Sequence, residues 1–204
     1  MRRKAGVNGD VSRTALLHLV LPSYYNLWMK ILQTIHDAAL QEQKRFLLIG
    51  GHALNVHGLV RSTTDVDLMV EVGDAPFWRE LLIRLGYDIF HESSSFIQSK
   101  PPSLAAWPVD LMLVSTDTMT KALQDASTTE VLGPSVFVAS VGSLIAMKLH
   151  ALKYVDAVRA LKDQADLLGL LQIAGIAVES EAFRQLCVHY GSLAVYERIS
   201  QIKA

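Results

Sequence analysis

The sequence predicts a mixed α/β (α+β) fold, a sheet flanked by helices and followed by a helical C-terminal part. Three observations carry this expectation. Segments with helical apolar spacing alternate with short strand-like runs as far as residue 139, a glycine pair separates one such strand from the helix after it, and from Ser140 the pattern is helical throughout. With 204 residues, half of them hydrophobic, the chain can bury a substantial core. The expected division is an N-terminal tail or extension over 1–22, a core over 23–139, and a helical region over 140–204 packed on that core.

Each element has its own signal. Tyr24 to Lys44 carries Leu27, Ile31, Ile35 and Ala39 at helical spacing, and Arg45 to Ile49 then shifts to a buried-strand pattern. Gly50 and Gly51 mark a turn into a helix that includes Ala53 to Val56, and Thr64 to Val72 reads as a second strand. Asp74 is placed as an N-cap with Pro76 in the first turn, and Gly86 as the stop of that helix. Tyr87–Phe90, Ser95–Ser99 and Val109–Val114 are strand candidates punctuated by Pro101, Pro102 and Pro108. After a last strand at Val136–Ala139, Ser140 caps a helix.

Composition excludes several classes. One cysteine, Cys187, leaves no internal disulfide framework, and the longest N-terminal apolar run, Ala15 to Leu21, is too short to span a bilayer. No leader pattern is read at the N-terminus, so a cytoplasmic protein is expected. Nineteen basic against twenty acidic residues give a net charge of −1, which supplies no global field toward nucleic acid.

The chemistry concentrates in the second strand. Alternation sends Val66, Leu68, Val70 and Val72 to one face and Asp65, Asp67, Met69 and Glu71 to the other. Two carboxylates two residues apart repel each other unless something positive lies between them, and a magnesium ion suits such oxygen donors. An isolated Asp-x-Asp is more often a solvated strand face, but three features weigh against that here. Gly50 and Gly51 open a helix where backbone amides can receive a phosphate. Asp110 lies in a strand whose other face is Val109, Leu111 and Leu113. Arg61, Ser62, Thr63 and Thr64 offer a guanidinium and three hydroxyls beside Asp65.

An apolar strand, Gly50-Gly51, a short helix, Asp65-x-Asp67 and a later strand aspartate, Asp110, resemble the nucleotidyltransferase superfamily related to DNA polymerase beta. More narrowly, "GGHALNVHGLVRSTTDVDLMV" is similar to the AbiEii-like nucleotidyltransferases, many of them toxins of toxin–antitoxin and phage-defence systems. Lys148, Ala151, Lys162, Asp163 and Asp166 occupy the places of that family's later motif. The resemblance spans roughly residues 46 to 170. Many members carry a hydroxyl immediately after the second glycine; here that place is His52, which can donate to a phosphate or cap the turn.

The resemblance implies a nucleotidyltransferase-type sheet and transfer of a nucleoside monophosphate from a nucleoside triphosphate (NTP). It implies Mg2+ or Mn2+ on Asp65, Asp67 and Asp110, with Asp110 also able to take the acceptor proton and Lys148 reaching the triphosphate. Gly50, Gly51, His52, Arg61, Thr64 and Asp163 form the expected nucleotide-binding set. The acceptor stays open among tRNA, a protein hydroxyl and a small molecule such as an antibiotic, and an antitoxin protein is a candidate partner. A non-catalytic binding module on the same fold is the alternative.

Overall fold

The computed structural model describes residues 22–202 apart from 105, 155 and 156. The expected tail over 1–22, except Pro22, therefore lies outside the described residues, as does the Ala15–Leu21 run.

The chain opens with α1 (Pro22–Gln41), whose Leu32, Ile35 and Ala39 are buried, and then enters β1 (Phe46–Leu48). Next come α2 (Gly50–Val56), β2 (Val66–Glu71), a 3-10 turn and α3 (Ala75–Arg84). Asp74 stands at the N-cap of α3 as expected, but its carboxylate accepts from Lys44 Nζ at 2.7 Å and caps no amide. A full opposite charge within reach outcompetes a neutral N–H. Gly86, at φ +83, ends the helix as its lack of a Cβ permits.

The middle of the chain builds β3 (Asp88–Glu92), β4 (Phe96–Lys100) and β5 (Val109–Val114). Two elements follow that the sequence reading did not include: α4 (Thr116–Gln124), capped by Ser115 Oγ accepting from Thr118 N, and β6 (Ser127–Thr129). Both are short and rich in threonine. Only Met119 and Ala122 of α4 are buried, so no long apolar stripe announces it. β7 (Val136–Val138) leads into α5 (Val141–Ala151), with Ser140 Oγ accepting from Ser143 N as its cap. The chain then stays helical through α6 (Ala157–Ala174), α7 (Glu181–Tyr190) and α8 (Leu193–Ser200).

Among the described residues, seven strands form one mixed sheet in the order β3-β4-β5-β2-β1-β7-β6. β2 runs parallel to β5 and antiparallel to β1, and β1 runs parallel to β7. The fold class expected from sequence is the one observed. Val66, Leu68, Val70, Val109 and Leu111 are almost wholly buried in the same core as Leu149, Leu170, Phe183 and Ile199 from the helical region. Among the described residues no helix is long and apolar enough to cross a membrane.

Phe183 is fully buried in this shared core. Phe183→Ala is expected to cost about 3–5 kcal/mol in urea unfolding. A single transition shifted by that amount would show that the helices after Ser140 unfold with the sheet, whereas a separate early transition would show two units.

Candidate active site

The site is a cleft of about 320 Å³ above the centre of the sheet. Asp65, Asp67 and Asp110 line one side of it, while Lys148 and Met147 from α5 and Lys162 and Asp163 from α6 face them. Register explains the convergence of two carboxylates. Asp67 of β2 pairs with Asp110 of β5, and paired residues on neighbouring strands point to the same face. Asp65 joins them from the segment leading into β2, two residues before Asp67.

Each carboxylate has a holder. Thr63 Oγ1 donates to Asp65 Oδ1 at 2.6 Å, and Gln98 Nε2 donates to Asp110 Oδ2 at 3.1 Å. Burial pushes the Asp65 carboxyl up, but the Thr63 hydroxyl, its own backbone amide, Lys162 and Arg61 together bring it below the usual range. Asp67 goes the other way: burial, then the charges of Asp65 and Asp110, push it up to about 6, against the Gly51 amide and Lys148. This is the crowded carboxylate of the site. As they stand, no three His, Cys, Asp or Glu side chains among the described residues are gathered closely enough to hold a metal ion.

The glycine pair is required by these neighbours. Gly50 has φ +61, and a Cβ on it would run into the Asp67 carboxylate. A Cβ on Gly51 would meet Thr63 Oγ1 at 2.5 Å and Arg61 Nη2 at 2.7 Å. The backbone thus closes on the acidic side chains, and the Gly51 amide is directed at Asp67.

The basic wall is cross-linked. Lys148 Nζ donates to Asp163 Oδ1 at 2.7 Å and Asp166 Oδ2 at 2.6 Å, and all three side chains are at least 85% buried. Arg61 Nε lies 3.7 Å from Asp166 Oδ1, and the Arg61 backbone amide donates to Asn55 Oδ1. Lys162 is exposed on the same wall.

The nucleotide-binding set expected from sequence is brought together in part. Gly50, Arg61 and Asp163 line the cleft, with Asp163 in the grip of Lys148. His52 does not line it: the ring is 5% exposed, stacks on Trp107 at 5.2 Å and 22°, and donates to the Asp65 backbone carbonyl. Burial lowers it to about 4, so it is neutral at pH 7. His57 Nε2 donates to the Ala139 carbonyl at 2.7 Å, tying α2 to the end of β7. Thr64 is exposed, and Thr63 instead serves Asp65. The alternation that selected Asp65 and Asp67 would have selected Thr63 too. Gln98 had no such signal, because strand partners are not written in a single sequence.

No family model matches this sequence. No curated protein matches it either. Among solved structures, similarity is found to the antibiotic-resistance factor ANT(2'')-Ia, with TM-score 0.54 and 14% identity over 84% of this chain and 88% of that one. It is found also to the lincosamide antibiotic adenylyltransferase LnuA, with TM-score 0.51 and 18% identity over 71% of this chain and 96% of that one. The polyadenylate synthase of Megavirus shares the fold at TM-score 0.52 and 14% identity, over 85% of this chain and 40% of that one. These likenesses establish a nucleotidyltransferase-like fold.

Two outcomes follow from the charges. An acid whose folded pKa is raised binds more protons folded than unfolded between about pH 4 and 6, so its contribution to stability falls as pH rises through that window. His52, a base with a lowered pKa, acts in the opposite direction across much of the same range, so the wild-type profile alone hides both. Asp67→Asn should therefore stabilise the metal-free protein by roughly 1–3 kcal/mol at pH 7, with the gain gone below pH 4. Melts of the two proteins across pH check this. Lys148→Met, by contrast, leaves buried Asp163 without its cation and Asp166 with only the more distant Arg61, and should destabilise the metal-free protein by about 3–5 kcal/mol, as read in urea unfolding.

Proposed function

We propose that this protein is a metal-dependent nucleotidyltransferase that moves a nucleoside monophosphate from an NTP to a hydroxyl acceptor. The observation that carries the reading is one cleft with Asp65, Asp67 and Asp110 on one side and Arg61, Lys148 and Lys162 on the other. The acidic side offers only oxygen donors, and burial together with the charges of Asp65 and Asp110 holds the Asp67 carboxyl up at about 6. That donor chemistry fits Mg2+ or Mn2+, with water and phosphate oxygens completing the shell. The cation when bound would neutralise the carboxylates and polarise the triphosphate.

The chain's own residues have distinct tasks in this reading. Thr63 and Gln98 orient Asp65 and Asp110, and Asp110 takes the proton of the acceptor hydroxyl. Arg61 and Lys162 present positive charge to the phosphates, while Lys148 fixes α6 through Asp163 and Asp166 and keeps its ammonium at the edge of the same space. Gly50 lets the backbone approach the triphosphate closely.

The narrower reading, an AbiEii-like toxin acting in the cytoplasm with an antitoxin as partner, is supported by the sequence motifs from Gly50 to Asp67 and from Lys148 to Asp166. Modification of a small molecule is supported by the antibiotic-modifying enzymes among the proteins of like fold.

Calorimetric titration of the four NTPs, with and without Mg2+, tests the core claim. Binding is expected only with the metal, and Asp67→Asn should abolish it while the variant remains folded. Metal-dependent affinity that is unchanged in the variant would remove Asp67 from the site.

A further inference from the structure

The cleft extends past the carboxylates toward the β3 edge of the sheet. His91 of β3 pairs with Gln98 of β4, Gln98 with Asp110 of β5, and Asp110 with Asp67 of β2. Paired residues share a face, so these four side chains stand in one line across four strands, at steps of about 4.8 Å. Phe96 and Met112 pair in the next row. His91, Gln98, Phe96 and Met112 all line the cleft, and Phe96 is 42% exposed, a large ring presented to solvent on a site wall.

Charge divides this space. The lysines and arginine lining the cleft, Arg61, Lys148 and Lys162, belong to the segment before β2 and to α5 and α6. Among the described residues the strands contribute none to the lining. The lining carboxylates are Asp65, Asp67, Asp110 and Asp163, and Lys148 holds the last. A triphosphate therefore belongs against the helical wall. What lies on the β3–β4–β5 part of the wall meets an aromatic ring, a thioether, an imidazole and an amide, with Asp110 as its carboxylate and with Asp65 and Asp67, the proposed cation ligands, at its β2 edge.

We propose that this strand wall is the acceptor subsite, and that it selects an uncharged hydroxyl compound carrying a flat ring. This rests on the proposed transferase reading. The ring packs on Phe96 and Met112, its polar edge meets His91 and the amide of Gln98, and its hydroxyl reaches Asp110. A polycationic aminosugar finds no carboxylate to spare on this wall, and a polyanion finds no lysine or arginine. In the transfer, the acceptor oxygen forms a bond to the α-phosphorus as the bond to the α–β bridging oxygen breaks. Pyrophosphate leaves, and the hydroxyl proton passes to the Asp110 carboxylate.

The experiment uses the full chain with Mg2+ and whichever α-labelled NTP binds in the titration. Adenosine and uridine serve as uncharged flat-ring probes, tobramycin as a polycation, and sorbitol as an uncharged polyol without a ring. Labelled product is expected with the nucleosides only. Phe96→Ala should raise their KM about tenfold, the usual effect of removing one stacking partner, with NTP affinity unchanged; Phe96→Leu should fall between. Gln98→Ala should lower kcat more than it raises KM. Equal or better kcat/KM with tobramycin or sorbitol, no transfer to either nucleoside, or an unchanged KM in Phe96→Ala would overturn the subsite while NTP binding stands. Absence of metal-dependent NTP binding in the wild type would overturn the transferase reading and this inference with it.

Discussion

Three carboxylates share one face at the centre of the sheet, and their mutual repulsion in a partly buried cleft is the constraint around which the site is built. Strand pairing fixes the distance between Asp67 and Asp110, so neither can retreat from the other without breaking the β2–β5 ladder. Relief has to come from what surrounds them. Thr63 and Gln98 take up single oxygens, the Gly51 amide turns toward Asp67, and Lys162 and Arg61 lower the cost for Asp65. Burial and the charges of Asp65 and Asp110 still leave the Asp67 carboxyl held up at about 6, and under the proposed reading a bound cation would relieve it.

The opposite wall solves a different problem. Lys148 could not be buried singly, and the fold gives it two partners three residues apart on one face of α6, Asp163 and Asp166. The same arrangement sets the position of α6 against α5, and hence where Lys162 stands. A residue identified by motif as a phosphate contact is thus also a brace between two helices. His52 shows the converse: a polar side chain at a motif position is turned inward, where Trp107 covers it and Tyr87 in turn holds the Trp107 carbonyl.

Most of the fold was legible because its signals are local. The period of α1, the cap at Ser140, the glycine at 86 and the full span Val109–Val114 all read directly, whereas α4 and β6 bury too little apolar surface to leave a pattern. Within the site, alternation along β2 is written in the residues themselves, so Asp65 and Asp67 could be placed on a common side. Whether Asp110 would stand opposite Asp67, and whether Gln98 would stand beside Asp110, depended on strand order and register. Those are settled by the packing of the whole sheet, and no single segment carries the information. Lys162 was marked only by its place in the motif from Lys148 to Asp166, and its position on the cleft wall depends in the same way on which face α6 turns inward.

The topology also dictates an order of events as the chain is made. β1 is flanked by β2, its near neighbour in sequence, and by β7, met through the pairing of Leu48 with Val138. A chain emerging from the ribosome therefore completes the line of carboxylates by Val114, well before α5 and α6 exist to bring the opposing cations. Until residues near Ala174 have been synthesised, the nascent protein carries an acidic groove that Arg61 accompanies but that the helical wall bearing Lys148 and Lys162 does not yet cover. The half of the cleft that α5 and α6 line is in this sense the last part to be supplied, and whatever needs both walls has to wait for it.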